Sequence, residues 1–171
     1  SNTQSQEAEK IKRNAKDFEF RAEEFSSFFR KNMPFEYSEN WENAYEVIDK
    51  IHHFVTDNPA EALPFGSLVE IQRDALRLNE MQELFELYVI EYRQIDQCVK
   101  ETKLLKQVWD MIGMITVTFA ERKMTKWDEI NVESLQDESK RLSKEIKTLP
   151  REVKNWPAYK GLEDAVKNMQ T

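Results

Sequence analysis

The residues that could carry chemistry are few and poorly spaced for it. His52 and His53 are the only histidines in the 171-residue chain, and they adjoin each other. Asp49-x-x-His52 is the nearest approach to the carboxylate and Glu-x-x-His pattern by which helical bundles hold di-iron, and no second His-bearing segment exists to complete it. Cys98, the single cysteine, lies next to Val99 with no histidine near it in sequence, so it reads as a structural thiol rather than a nucleophile. Glycines occur only at 66, 113 and 161, too few and too scattered for a phosphate-cradling loop or a dinucleotide fingerprint. Nothing in this pattern supports catalysis, a metal or a cofactor, and the expectation is a non-enzymatic segment.

Partners of several classes are disfavoured as well. The net charge is −7, with 11 Lys/Arg against 20 Asp/Glu in residues 1–99 and 8 against 4 in residues 140–171. A nucleic acid needs a basic face to displace its counterions, and the body of this chain is acidic. No apolar run of 18 residues is present, so no membrane span is expected, and one cysteine fits a reducing interior. Ser1-Asn2 reads as an expression remnant or a cut within a longer chain.

What remains is a set of helices. Three glycines and five prolines against abundant Glu, Lys, Leu, Gln and Met predict an all-α, elongated bundle of about five to six long amphipathic helices. The first covers about Gln4 to Lys31, with Ala8, Ile11, Ala15, Phe18, Ala22, Phe25 and Phe29 in one stripe, Phe20 and Phe28 widening it, and Met33-Pro34 ending it. Alanine alternating with bulky residues allows a second helix to approach closely, and if that partner is missing the stripe offers a face for self-association. Ser38 is a candidate cap for a second helix carrying Trp41, Ala44, Tyr45, Ile48, Ile51 and Val55 inward. Pro59 to Gly66 reads as a hinge between an N-terminal helical pair, residues 1–58, and a bundle, residues 67–171.

Ser67 and Glu70 form a capping box for a third helix ending near Leu87. The fourth starts about Val89 and places Tyr92, Ile95, Val99, Leu105, Trp109, Ile112 and Phe119 on one side for some thirty residues. Asn131 is expected to cap a fifth with Leu135, Leu142, Ile146 and Leu149 inward, which Pro150 breaks. A turn from Pro157 to Gly161 precedes a last helix with Leu162, Val166 and Met169. Two of the four tryptophans and three of the six methionines crowd into residues 104–135. Trp109 falls on the main stripe and reads as core, while Trp127 and Trp156, at helix junctions, either anchor corners or pack on a neighbouring segment.

From about Gln72 onward these segments resemble dynein heavy chains. The features are LRLNEMQELFEL (Leu76–Leu87), EYRQIDQCVKETKLLKQVWD (Glu91–Asp110), KWDEINVESL (Lys126–Leu135) and NWPAYKGLEDAVKNM (Asn155–Met169), in matching order, with the Trp-bearing runs most like axonemal members. The resemblance implies the tail-to-linker junction ahead of the AAA+ motor, and so a structural, force-transmitting role in a ciliary axoneme. ATP hydrolysis and microtubule binding belong to parts of the family outside this stretch. Partners implied are the remaining linker and AAA+ ring, and other heavy, intermediate or light chains. Structural or interface candidates are Trp109, Trp127, Trp156, Phe18, Phe25 and Phe29. The alternative is a free-standing helical scaffold, a spectrin-like spacer or coiled-coil adaptor.

Overall fold

The computed structural model describes residues 2–53, 56–123 and 128–169. Its elements are α1 (Asn2–Asn32), α2 (Trp41–His53), α3 (Leu68–Leu84), α4 (Arg93–Lys123), α5 (Glu129–Lys147), a 3-10 turn (Val153–Asn155) and α6 (Pro157–Asn168). There is no strand among the described residues, and the fold is an all-α helical bundle.

The chain folds as two compact units, each discontinuous in sequence. The first comprises Ser1–Met33 and Asp49–Thr102, the second Pro34–Ile48 and Lys103–Thr171. Residues 59–66 fall inside the first unit, and the divisions lie near 33, 48 and 102 instead.

In the first unit α3 packs along α1. From Ile11 onward the α1 stripe is filled as its spacing predicts: Ile11, Ala15, Phe18, Ala22, Phe25 and Phe29 are all buried, while Ala8 is only half-buried. These residues are covered by the chain itself, so the stripe is not available for the self-association that an unpartnered face would allow. Phe20 does not widen it, because at 64% exposure its ring stands in solvent. Phe28 is half-buried and reaches Phe65, with ring centroids 5.0 Å apart.

Ser67 caps α3 by accepting from the Glu70 amide at 3.3 Å. Its C-terminus closes three residues before Leu87, through a turn in which Glu86 takes φ +55°. The Glu86 amide donates to Glu83 O at 3.1 Å and the Leu87 amide to Gln82 O at 2.8 Å. This is the Schellman arrangement, which normally places glycine at the left-handed position. The fourth helix starts four residues later than its apolar pattern suggests, because Ile90 is engaged elsewhere: its amide donates to the Gln82 side chain at 3.2 Å and its carbonyl accepts from Asn79 at 3.0 Å.

In the second unit α5 packs on α6, and α6 on the 3-10 turn. Two caps differ from expectation. Asn40, not Ser38, caps α2, its Oδ1 accepting from the Asn43 amide at 3.1 Å while Ser38 serves the Asn40 amide in the preceding turn. Asp128, not Asn131, caps α5, accepting the Asn131 amide at 2.8 Å. Residues 157–161 are no turn, since Pro157 opens α6 at its first position, where its missing N–H costs nothing, and Gly161 lies within the helix. The break at Pro150 holds: α5 ends at Lys147 with Thr148 as its cap.

Candidate functional site: the helical interior

In the first unit the interior is built around α1 and the first turns of α4. Phe25 and Phe29 are fully buried with centroids 6.1 Å apart, and Phe65 meets Phe25 edge-on at 5.6 Å. Phe18 packs edge-on against Tyr92 at 4.7 Å. Each such ring removed from water contributes roughly 2–3 kcal/mol.

Two ion pairs tie this interior together, and neither was flagged from sequence. The Arg30 guanidinium grips Glu101 through both terminal nitrogens, and Gln97 adds a donor to the same carboxylate at 2.7 Å. Glu101 is 5% exposed, so the pairing offsets the cost of burying its charge. A signal was present in the pattern: Glu101 interrupts the apolar spacing between Cys98 and Leu105. Arg21 donates to Asp74 at 2.7 Å and to Phe65 O at 2.6 Å. Burial works to raise the Asp74 carboxyl, but the Arg21 hydrogen bond and charge, with help from Arg73, hold it below its ordinary value.

Cys98 is fully buried, and burial pushes its thiol up to about 11, against the smaller opposing pull of Arg30. A neutral, inaccessible thiol is a packing group. His52 and His53 face each other with Nδ1 atoms 3.3 Å apart. Among the described residues no group of three or more His, Cys, Asp or Glu is placed to share a metal ion, and no described helix is long and apolar enough to cross a membrane.

In the second unit the interior centres on Trp109, fully buried, whose Nε1 donates to Pro34 O at 2.9 Å. That carbonyl belongs to a strap, residues 34–37, which sequence reasoning treated only as the end of the first helix. Phe35 O accepts the Ala158 amide at 2.8 Å. It thereby caps α6, whose own N-cap, Trp156, offers no side-chain acceptor. The Phe35 ring lies edge-on to half-buried Trp156 at 5.1 Å. Tyr37 lies so close over Gly161 that a Cβ there would fall 2.2 Å from its ring. The one hint in the sequence was a helix start lacking a polar cap.

Further along, Trp41 covers Gly113 of α4, and Tyr45 donates to Asp110. Ser139 is fully buried and donates to Val166 O at 3.1 Å, joining α5 to α6. Arg122 links α4 to α5 through Glu138 at 3.6 Å. Of the six candidates, the structure gathers Phe18, Phe25 and Phe29 in the first unit and Trp109 and Trp156 in the second. Trp127 lies outside the described residues. The resulting sites are packed interiors.

Residues 95–171 match the family model for dynein heavy chain, N-terminal region 2. The dynein beta chain of the flagellar outer arm of Chlamydomonas reinhardtii is 36% identical over 98% of the chain. The chain belongs to the dynein heavy chain family. The ciliary dynein beta chain of Tripneustes gratilla and the mouse dynein axonemal heavy chain 17 are each 33% identical over the same share. The chain spans only 3–4% of the length of these relatives. Their likeness to it includes residues 1–71, where the sequence on its own offered only helical character.

Proposed function

We propose that this chain is a structural, force-transmitting stretch of an axonemal dynein heavy chain, at the junction of tail and linker, which performs no bond chemistry of its own. The observation that carries the reading is the likeness over 96–98% of the chain to heavy chains whose names are ciliary, flagellar or axonemal. The same names support a place in the axoneme of a cilium or flagellum.

The packing supports a mechanical role. A segment that passes force must resist bending and shear, which requires dense apolar contact along stiff elements. Helix α4 runs for 31 residues, about 46 Å at 1.5 Å per residue. Both units draw on it, Arg93–Thr102 entering one and Lys103–Lys123 the other. Fully buried Ile95, Leu105 and Trp109, with Ile112, line it. On this reading the partners are the rest of the heavy chain, its linker and AAA+ ring, together with other dynein chains, and this stretch holds no cofactor.

The test is to soften α4 without removing its contacts. Lys103 and Gln107 are exposed on it, and glycine at both costs about 1 kcal/mol each in helix propensity. In a full-length axonemal heavy chain carrying Lys103→Gly and Gln107→Gly, microtubule gliding should slow several-fold while ATP turnover stays within about twofold of the parent. Unchanged gliding, with α4 shown by hydrogen exchange to be loosened, would overturn the proposal.

A further inference from the structure

The C-terminal half of α3 and the residues after it carry apolar surface that the chain leaves in solvent. Leu76 is 61% exposed, Leu84 73%, Tyr88 85% and Val89 40%. Leu76, Glu80 and Leu84 repeat every fourth residue and so share one stripe of the helix, and Tyr88 and Val89 follow just past its end. Single exposed hydrophobes are ordinary. Four large ones between residues 76 and 89 exceed that ordinary scatter.

The surface is built rather than loose. Beneath it Gln82 is 2% exposed, its Oε1 accepting from Asn79 at 3.0 Å and from the Ile90 amide at 3.2 Å. Asn79 donates to Ile90 O as well, so the stretch holding Tyr88 and Val89 is pinned to α3 at both backbone groups of Ile90. A partner would meet a backbone already held in place, which lowers the ordering cost of binding.

The surrounding charge selects the partner. Glu80, Glu83 and Glu86 are exposed along the stripe and its end. Glu91, also exposed, has Arg93 3.4 Å away with both side chains largely in solvent. Arg77 is the only cation between residues 74 and 92, and it borders the groove that α3 shares with Glu7 and Lys10 of α1.

We propose that this patch docks a basic amphipathic helix from a partner polypeptide, its apolar side chains seated on Leu84 and Tyr88 and its Lys or Arg residues against Glu80, Glu83 and Glu86. An anionic lipid surface or nucleic acid would be repelled here. A second copy meeting the same patch about a twofold axis would oppose like charges. The inference goes beyond the force-transmission reading and does not rest on it.

The test uses the whole 171-residue chain, labelled with 15N. The probe is a synthetic Leu/Lys amphipathic helix, with the matching Leu/Glu helix as control. The Leu/Lys peptide should shift the amide signals of residues 76–91, with affinity falling about tenfold between low salt and about 0.5 M. The Leu/Glu peptide should leave them in place. Changing Glu80, Glu83 and Glu86 together to Gln should weaken binding about tenfold. Leu84→Ser with Tyr88→Ser should abolish it, since buried apolar anchors dominate such contacts. Both variants alter exposed side chains, so an unchanged thermal melt separates lost binding from lost folding. The proposal is overturned if shifts fall outside this segment or if both peptides bind alike. It is also overturned if the chain alone sediments as a dimer that Leu84→Ser with Tyr88→Ser dissociates, which would assign the patch to a second copy.

Discussion

Gly161 and Gly113 both lie inside helices, yet they need glycine to different degrees. A Cβ at 161 would sit 2.2 Å from the Tyr37 ring, whereas at 113 it would meet Trp41 at 3.4 Å, an ordinary contact. Alanine gains about 1 kcal/mol of helix propensity at either site. At 161 the overpacking cost of about 1–3 kcal/mol outweighs that gain, so Gly161→Ala should lower the urea midpoint and Gly113→Ala should raise it. Trp109→Ala should cost about 3–5 kcal/mol in the same assay through its cavity. Trp109→Phe should cost less, about 1–2 kcal/mol, the loss being chiefly the bond to Pro34 O. Tyr92 offers the converse: its ring is buried against Phe18 but its hydroxyl is buried without a hydrogen-bond partner. Tyr92→Phe should therefore be neutral or stabilising by about 1 kcal/mol, and a destabilised urea curve would show that the hydroxyl is satisfied in solution.

At the scale of elements, the ends of helices can be tuned independently of their faces. Glu86 holds a left-handed conformation that favours glycine, so Glu86→Gly should stabilise α3 by about 1 kcal/mol in thermal or urea unfolding. Asp128→Ala should remove about 1 kcal/mol by uncapping α5. The faces themselves were legible in the sequence, because an apolar repeat of three and four residues reports directly on which side of a helix meets the core. The α1 stripe from Ile11 to Phe29 and the Leu135, Leu142, Ile146 set were read correctly for that reason, whereas Ala8 and Phe20 lie where the face gives way to solvent. Caps were less legible: Ser38 and Asn131 have the right chemistry, but so do Asn40 and Asp128 nearby, and the choice depends on the backbone path into the helix. The Pro157–Gly161 segment misled because both residues also signal turns. Here proline opens a helix and glycine makes room for a ring 124 residues away in sequence, a contact no local pattern records.

At the scale of the molecule, stability should depend on pH at both extremes. Burial raises the Cys98 thiol to about 11 from an ordinary value near 9. A raised value means that the neutral form's contribution is intact below about 9 and is lost as pH climbs through 11. Burial, with Glu19 adding to it, also raises Tyr92, which acts in the same direction. The thermal midpoint should hold up to about pH 9 and then fall, and Cys98→Ala should blunt that decline. Asp74 is held low, so its contribution is present above the ordinary carboxylate range and lost as pH drops through its folded value. Asp74→Asn should flatten the acid limb of the same curve. The division into units was the least legible feature. Residues 59–66 have linker composition yet lie inside the first unit with Phe65 buried, whereas the second is closed by contacts that span most of the sequence. Those contacts have a bearing on biosynthesis. Phe35 leaves the ribosome 123 residues ahead of Ala158, the amide it must cap. At about 5–20 residues per second that interval is on the order of ten seconds, during which the Phe35 carbonyl stays without its partner. The nascent heavy chain thus carries an aromatic segment that a chaperone has time to hold before the second unit closes.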